Sequence, residues 1–120
     1  MVKVLVVEDN PSERKLIANY LEEDGYAVII AENGEEALDK AVSQKPDVVV
    51  TDVIMPGMNG FELSRSLKKD PTTQNLPIVV CTSKNQELDR LWGMKQGVDI
   101  YITKPYTRSE LIRAVKAVAS

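Results

Sequence analysis

Short apolar runs alternate along this chain with stretches whose apolar residues recur every three or four positions. Four runs stand out: VKVLVV at 2–7, DVVV at 47–50, PIVVC at 77–81 and Ile100-Tyr101-Ile102. Each gives way to polar residues: Glu8-Asp9, Thr51-Asp52, Thr82-Ser83 and Thr103-Lys104-Pro105. Val- and Ile-rich runs bounded by turn residues read as strands buried on both faces. A further strand is expected from Tyr26 to Ala31, behind Gly25. The third strand is expected to end at Asp52 and the fifth to cover Val98 to Thr103.

The intervening segments carry helical spacing. Leu16, Ile17, Tyr20 and Leu21 fall on one face of a first helix, which opens with Asn10 as N-cap and Pro11 at its first position. Glu13 sits where a capping box would place it, reaching back to the cap. Asn33-Gly34 opens a second helix with Ala37, Leu38, Ala41 and Val42 on one face. Met55-Pro56-Gly57-Met58-Asn59-Gly60 is dense in turn residues and reads as a loop, followed by a helix from Phe61 to about Lys69 that Asp70-Pro71 stops. A fourth helix carries Leu88, Leu91 and Trp92 and ends near Gly97. The last opens at Thr107 or Arg108 and buries Leu111, Ile112, Val115 and Val118.

Strands alternating with helices predict a doubly wound α/β fold: a five-stranded parallel sheet with helices on both faces. Parallel strands release their C-terminal ends along one edge, where such sheets bind ligands. Glu8, Asp9, Asp52, Thr82 and Lys104 are therefore expected to converge there.

Composition narrows the possibilities. The 120 residues suit one domain, and 43% hydrophobic with 28% charged residues fits a folded rather than a disordered chain. A net charge of −3 offers no basic footprint for nucleic acid. No apolar stretch is long enough to span a membrane, and MVKVLVV reads as a strand rather than a signal peptide. Cys81, the only cysteine, precludes an internal disulfide and suits a reducing cytoplasm. Met1 and the ending at Ser120 favour a complete chain. There is no histidine, which removes Ser-His catalysis and most zinc sites from this chain.

Three carboxylates at one edge repel one another unless a cation relieves them. Mg²⁺ suits the need, since it takes one or two carboxylates together with waters and phosphate oxygens. An aspartate can also attack phosphorus to give an acyl phosphate, with Lys104 and the Thr82 hydroxyl contacting the transferred oxygens. Taken singly, each residue has a plainer reading. Glu8-Asp9 could serve a helix dipole, Asp52 a turn, Thr82 a strand, and Lys104 a solvated surface. Their shared place at strand ends is what favours chemistry.

VLVVEDN, VVVTDVIMPGMNGFEL, VVCTS and YITKPY together resemble the receiver (CheY-like) domain of two-component response regulators over essentially the whole chain. The resemblance implies the strand order 2-1-3-4-5 and a phosphorylation-dependent signalling switch without a DNA-binding output domain. It implies Asp52 as phosphoacceptor, Mg²⁺ held by Asp9, Glu8, Asp52 and the Ile54 backbone carbonyl, and Lys104 as the phosphate-contacting lysine. Thr82 and Tyr101 match the family's switch pair, and the bond before Pro105 is expected to be cis. The implied partners are a histidine kinase or phosphotransfer protein, and a downstream target on the face formed by helix 4, strand 5 and helix 5. No nucleic acid and no membrane insertion are implied. DRLWGMKQGVDIYITKP is also similar to regulators of pilus-motility chemosensory systems. Ile54 and Lys84 depart from the best-known chemotaxis member and leave the phosphorylated lifetime open.

Three other readings are compatible with the expected fold. A haloacid-dehalogenase-type phosphatase would need a second Asp where Ile54 stands. A flavodoxin-like carrier would need a Ser/Thr/Gly-rich phosphate loop where Glu8-Asp9 stands. A binding-only pseudo-receiver would have little use for the acidic pair, Asp52 and Lys104 together.

Overall fold

The computed structural model describes residues 1–119. The elements run β1 (Lys3–Val7), α1 (Pro11–Glu23), β2 (Ala27–Ala31), α2 (Gly34–Gln44), β3 (Val48–Thr51), α3 (Gly60–Lys69), β4 (Ile78–Thr82), α4 (Glu87–Lys95), β5 (Ile100–Thr103) and α5 (Arg108–Val118). The strands form one parallel sheet in the order β2-β1-β3-β4-β5. This is the order the resemblance implies.

Period-two alternation divides the strand residues between two cores. Val4, Val6, Val48, Val50, Val79, Cys81 and Ile102 face α1 and α5, where Ile17, Leu21, Leu111 and Val115 cover them. Leu5, Val7, Val49, Ile78 and Val80 face the opposite way, against Ala37 and Ala41 of α2 and Phe61, Leu63 and Leu67 of α3. Both faces of β1, β3 and β4 are therefore dry, which explains their unbroken apolar sequence.

The departures from expectation have local causes. The fifth strand begins at Ile100 rather than Val98, because the Val98 amide closes the end of α4 on the Gly93 carbonyl. It is an edge strand, so Ile100 and Tyr101 are only half-buried. The apolar faces of α1 and α2 are narrower than their spacing suggested: Leu16 and Val42 are exposed, and Ala18 joins Ile17 and Leu21 inside. In α4 only Gly93 is buried, while Leu88, Leu91, Trp92 and Met94 face outward. Gly93 lies against the rings of Phe61 and Tyr101, where a Cβ would meet Phe61 at 3.0 Å.

These burials set unequal energetic weights. Leu63 is fully buried and Leu88 is 75% exposed. Leu63→Ala is expected to lower the unfolding free energy by about 2–5 kcal/mol. Leu88→Ala should change it by less than about 0.5 kcal/mol. Urea denaturation of both variants checks this, and equal losses would contradict the placement of the core.

Candidate functional site

The sheet ladder continues one residue past three strand ends and so carries the site residues in register. The Glu8 amide donates to the Ala31 carbonyl (3.1 Å), that of Asp52 to Val7 (3.2 Å) and that of Lys104 to Thr82 (2.8 Å). Asp52 is thereby fixed between β1 and β4 and is only 8% exposed. Its Oδ1 accepts from the amides of Val53 (2.6 Å) and Ile54 (3.2 Å), and its Oδ2 from Lys104 Nζ (2.8 Å).

The loop after Asp52 folds back tightly to allow this. The Gly60 amide donates to the Val53 carbonyl at 2.9 Å. A Cβ on Gly60 would lie 2.1 Å from the Asp52 carbonyl oxygen, so only glycine fits there. Asn59 and Glu62 then cap α3 reciprocally.

Among the described residues Lys104 is the only cation bonded to Asp52. Its ammonium also donates to Glu13 Oε2 at 2.7 Å. Burial works against its charge, but hydrogen bonds to Asp52 and Glu13 more than offset that and hold the ammonium above the usual lysine range. Asn10 caps α1 alone, accepting from the amides of Ser12 and Glu13. The Glu13 carboxylate turns to Lys104 rather than into the expected capping box.

The carboxylates brought together are therefore Glu8, Glu13 and Asp52, with ligand oxygens all within 4.8 Å of one another. Asp9, expected among them, is exposed and lies outside this group. Glu8 is 2% exposed, and its Oε2 has no hydrogen-bond partner among the described residues. Burial, a hydrogen bond with Glu13 and the nearby Asp52 charge push its carboxyl up to about 9. The bonds from Glu8 and Lys104 hold Glu13 below the usual range. Two carboxyls can bond only with a proton between them, so at neutral pH Glu8 supplies it. A hard divalent cation could replace that proton, and an all-oxygen donor set with an orphaned buried oxygen fits Mg²⁺.

The remaining residues lie around this cluster. Thr82 is fully buried at the end of β4, and its Oγ1 accepts from the Lys84 amide at 3.3 Å. The Tyr101 hydroxyl donates to the Lys84 carbonyl at 2.7 Å, and Arg90 lies 5.0 Å over the Tyr101 ring. One peptide segment thus links Thr82 to Tyr101. The Lys84 ammonium is 4.0 Å from Asp89, on α4. Ile54 is 54% exposed beside Asp52. The Cys81 thiol, pushed up to about 12 by burial, is a core residue and not a nucleophile. The Lys104–Pro105 bond is cis.

The profile of the response regulator receiver domain matches residues 4–116. The chain belongs to that family. This receiver domain is 42% identical over 118 residues to the protein PilH of Pseudomonas aeruginosa, covering 98% of both chains. It is 41% identical over 115 residues to the phosphate regulon transcriptional regulatory protein PhoB of the same organism, but spans only 50% of it. Among solved structures it is similar to the chemotaxis protein CheY4 of Vibrio cholerae, with TM-score 0.93, 32% identity and 98% of both chains covered. It is also similar to the receiver domain of a signal transduction histidine kinase from Syntrophus aciditrophicus, with TM-score 0.92, 33% identity, and 99% of this chain and 90% of that one covered. A receiver domain is a signalling module that works with a histidine kinase or phosphotransfer partner. Among its described residues no helix is long and apolar enough to cross a membrane.

The Glu8 environment gives a pH dependence with a definite sign. Its folded value of about 9 lies above the ordinary 4.5, so the folded receiver keeps a proton that the unfolded chain releases between these values. In the metal-free protein, stability should therefore decline as pH rises from 4.5 toward about 9. Glu8→Gln, neutral throughout, should flatten that decline. Thermal midpoints in a chelating buffer test this, and an unchanged slope in the variant would contradict a buried neutral Glu8.

Proposed function

We propose that Asp52 is the phosphoacceptor of a phosphorylation-dependent switch. The observation that carries this is the seating of Asp52: nearly buried, one oxygen on two backbone amides and the other on Lys104, beside Glu8. Glu8 is neutral and enclosed, and Glu13 stands on an exposed helix turn. Among these three acids, Asp52 combines a fixed aim with a cation ready for the incoming charge.

In this reading an Asp52 carboxylate oxygen bonds to phosphorus as the bond from phosphorus to the donor's nitrogen breaks. An acyl phosphate is left on Asp52. The chain has no histidine, so the phosphohistidine belongs to the partner kinase or phosphotransfer protein. Mg²⁺ would be held by Glu8, Asp9, Asp52 and the Ile54 carbonyl, and when bound it offsets the charge of the phosphoryl oxygens. The Lys104 ammonium shifts its bond from Asp52 to the new dianion, a charge-assisted contact. The Thr82 hydroxyl gains a strong acceptor in the same way, and the Lys84 peptide passes its movement to Tyr101. The partner surface altered is that of α4, β5 and α5. Ile54 offers no acid to hydrolyse the intermediate, which favours a signalling switch over a phosphatase. The similarity to the chemotaxis protein CheY4 favours a chemosensory pathway, and a single cysteine suits the cytoplasm.

Intact-mass measurement after treatment with acetyl phosphate and Mg²⁺ should show one phosphoryl group added to the parent and none to Asp52→Asn. Thr82→Ala should still be labelled, with weaker shift changes at Tyr101 in NMR spectra. Undiminished labelling of Asp52→Asn would sink the acceptor assignment. Parent-like Tyr101 shifts in Thr82→Ala would remove Thr82 from the relay.

A further inference from the structure

Glu13 stands in the first turn of α1, yet its carboxylate crosses to Lys104, 91 positions away in sequence. The same ammonium holds Glu13 at 2.7 Å and Asp52 at 2.8 Å. The two acids are not equivalent. The Asp52 side chain is 9% exposed and fixed by backbone amides, whereas that of Glu13 is 45% exposed. Asn10 caps α1 without help from Glu13, so departure of this carboxylate would give up the bonds to Lys104 and Glu8 but would not unravel the helix.

Resting on the reading of Asp52 as acceptor, we propose that Glu13 is a built-in rival of the phosphoryl group. It occupies the anion side of Lys104 in the resting protein and withdraws to solvent when Asp52 is phosphorylated. A dianion on Asp52 would otherwise share one ammonium with a carboxylate whose oxygen lies within 4.8 Å of the Asp52 oxygen. Like charges that close repel strongly at a partly buried site. Glu13 therefore raises the threshold for activation and returns Lys104 to its resting partner when the phosphoryl group departs.

Beryllofluoride, an analogue of the phosphoryl group, tests this with the full chain in saturating Mg²⁺. Glu13→Gln and Glu13→Ala should both bind it about threefold or more tightly than the parent, with the gain shrinking as NaCl is raised. Mg²⁺ affinity, titrated separately without beryllofluoride, should fall by less than about tenfold, as expected from losing one nearby screened charge. A smaller gain or weaker binding in both variants would overturn the proposal, because Glu13 would then orient Lys104 rather than compete for it. A larger loss of Mg²⁺ affinity would also overturn it, by making Glu13 a metal ligand. If the parent binds no beryllofluoride at Asp52, the acceptor reading fails and this proposal with it. Binding without the gain overturns this proposal alone.

Discussion

One ammonium holds together a group of acids that would otherwise push each other apart. Lys104 lies between Asp52 and Glu13, and Glu8 completes the group through a proton shared with Glu13. Crowded carboxylates demand compensation, and each available form of it leaves a trace here. The lysine stays charged despite burial, Glu8 stays neutral despite being an acid, and one Glu8 oxygen has no partner among the described residues. The rest of the molecule serves to keep these groups in place. The parallel register aligns the strand ends, ladder bonds extend to the site residues, and Gly60 lets the next loop pass over the Asp52 carbonyl.

The proposed switch would link chemistry to shape through these groups. A phosphoryl group on Asp52 changes the local charge, and a ligand shifts a conformational equilibrium only through differential contacts with the two states. The groups able to respond differentially are Lys104, Thr82 and Glu13. Thr82 joins Tyr101 through a single peptide at Lys84, and Tyr101 packs against Phe61 and α4. The α4 helix meets the core mainly through Gly93 and presents Leu88, Leu91, Trp92 and Met94 outward. Few buried contacts make it the helix most easily displaced.

Much of this was legible in the sequence because two periodicities report different facts. Val/Ile runs marked the buried strands, and the polar residues at their ends marked the site edge. Asp52, Lys104, Glu8 and Thr82 were readable for that reason, and the structure gathers all four there. What escaped was direction. Glu13 matched a capping-box position, and local spacing cannot tell that its carboxylate has a better partner at position 104. Asp9, adjacent to Glu8, is exposed and stands outside the group formed by Glu8, Glu13 and Asp52 in the metal-free protein. The exposed faces of Leu16, Val42 and α4 were misleading for a related reason: apolar spacing reports a helix stripe but not how wide a strip the sheet covers. A signal for Glu13 was present, since an acid in the first turn of α1, five residues after Glu8, lies near the same edge as the other site residues.

The proposed switch rests on Lys104 exchanging one anion for another, and a crystal structure of the protein with Mg²⁺ and beryllofluoride would test that directly. Beryllium should be bonded to the Asp52 carboxylate, with the Lys104 ammonium on a fluoride and the Thr82 hydroxyl turned toward the adduct. The Glu13 carboxylate should have moved off Lys104 into solvent. Beryllium on any other carboxylate, or a Lys104–Glu13 bond kept while Lys104 makes no contact with fluoride, would contradict the account.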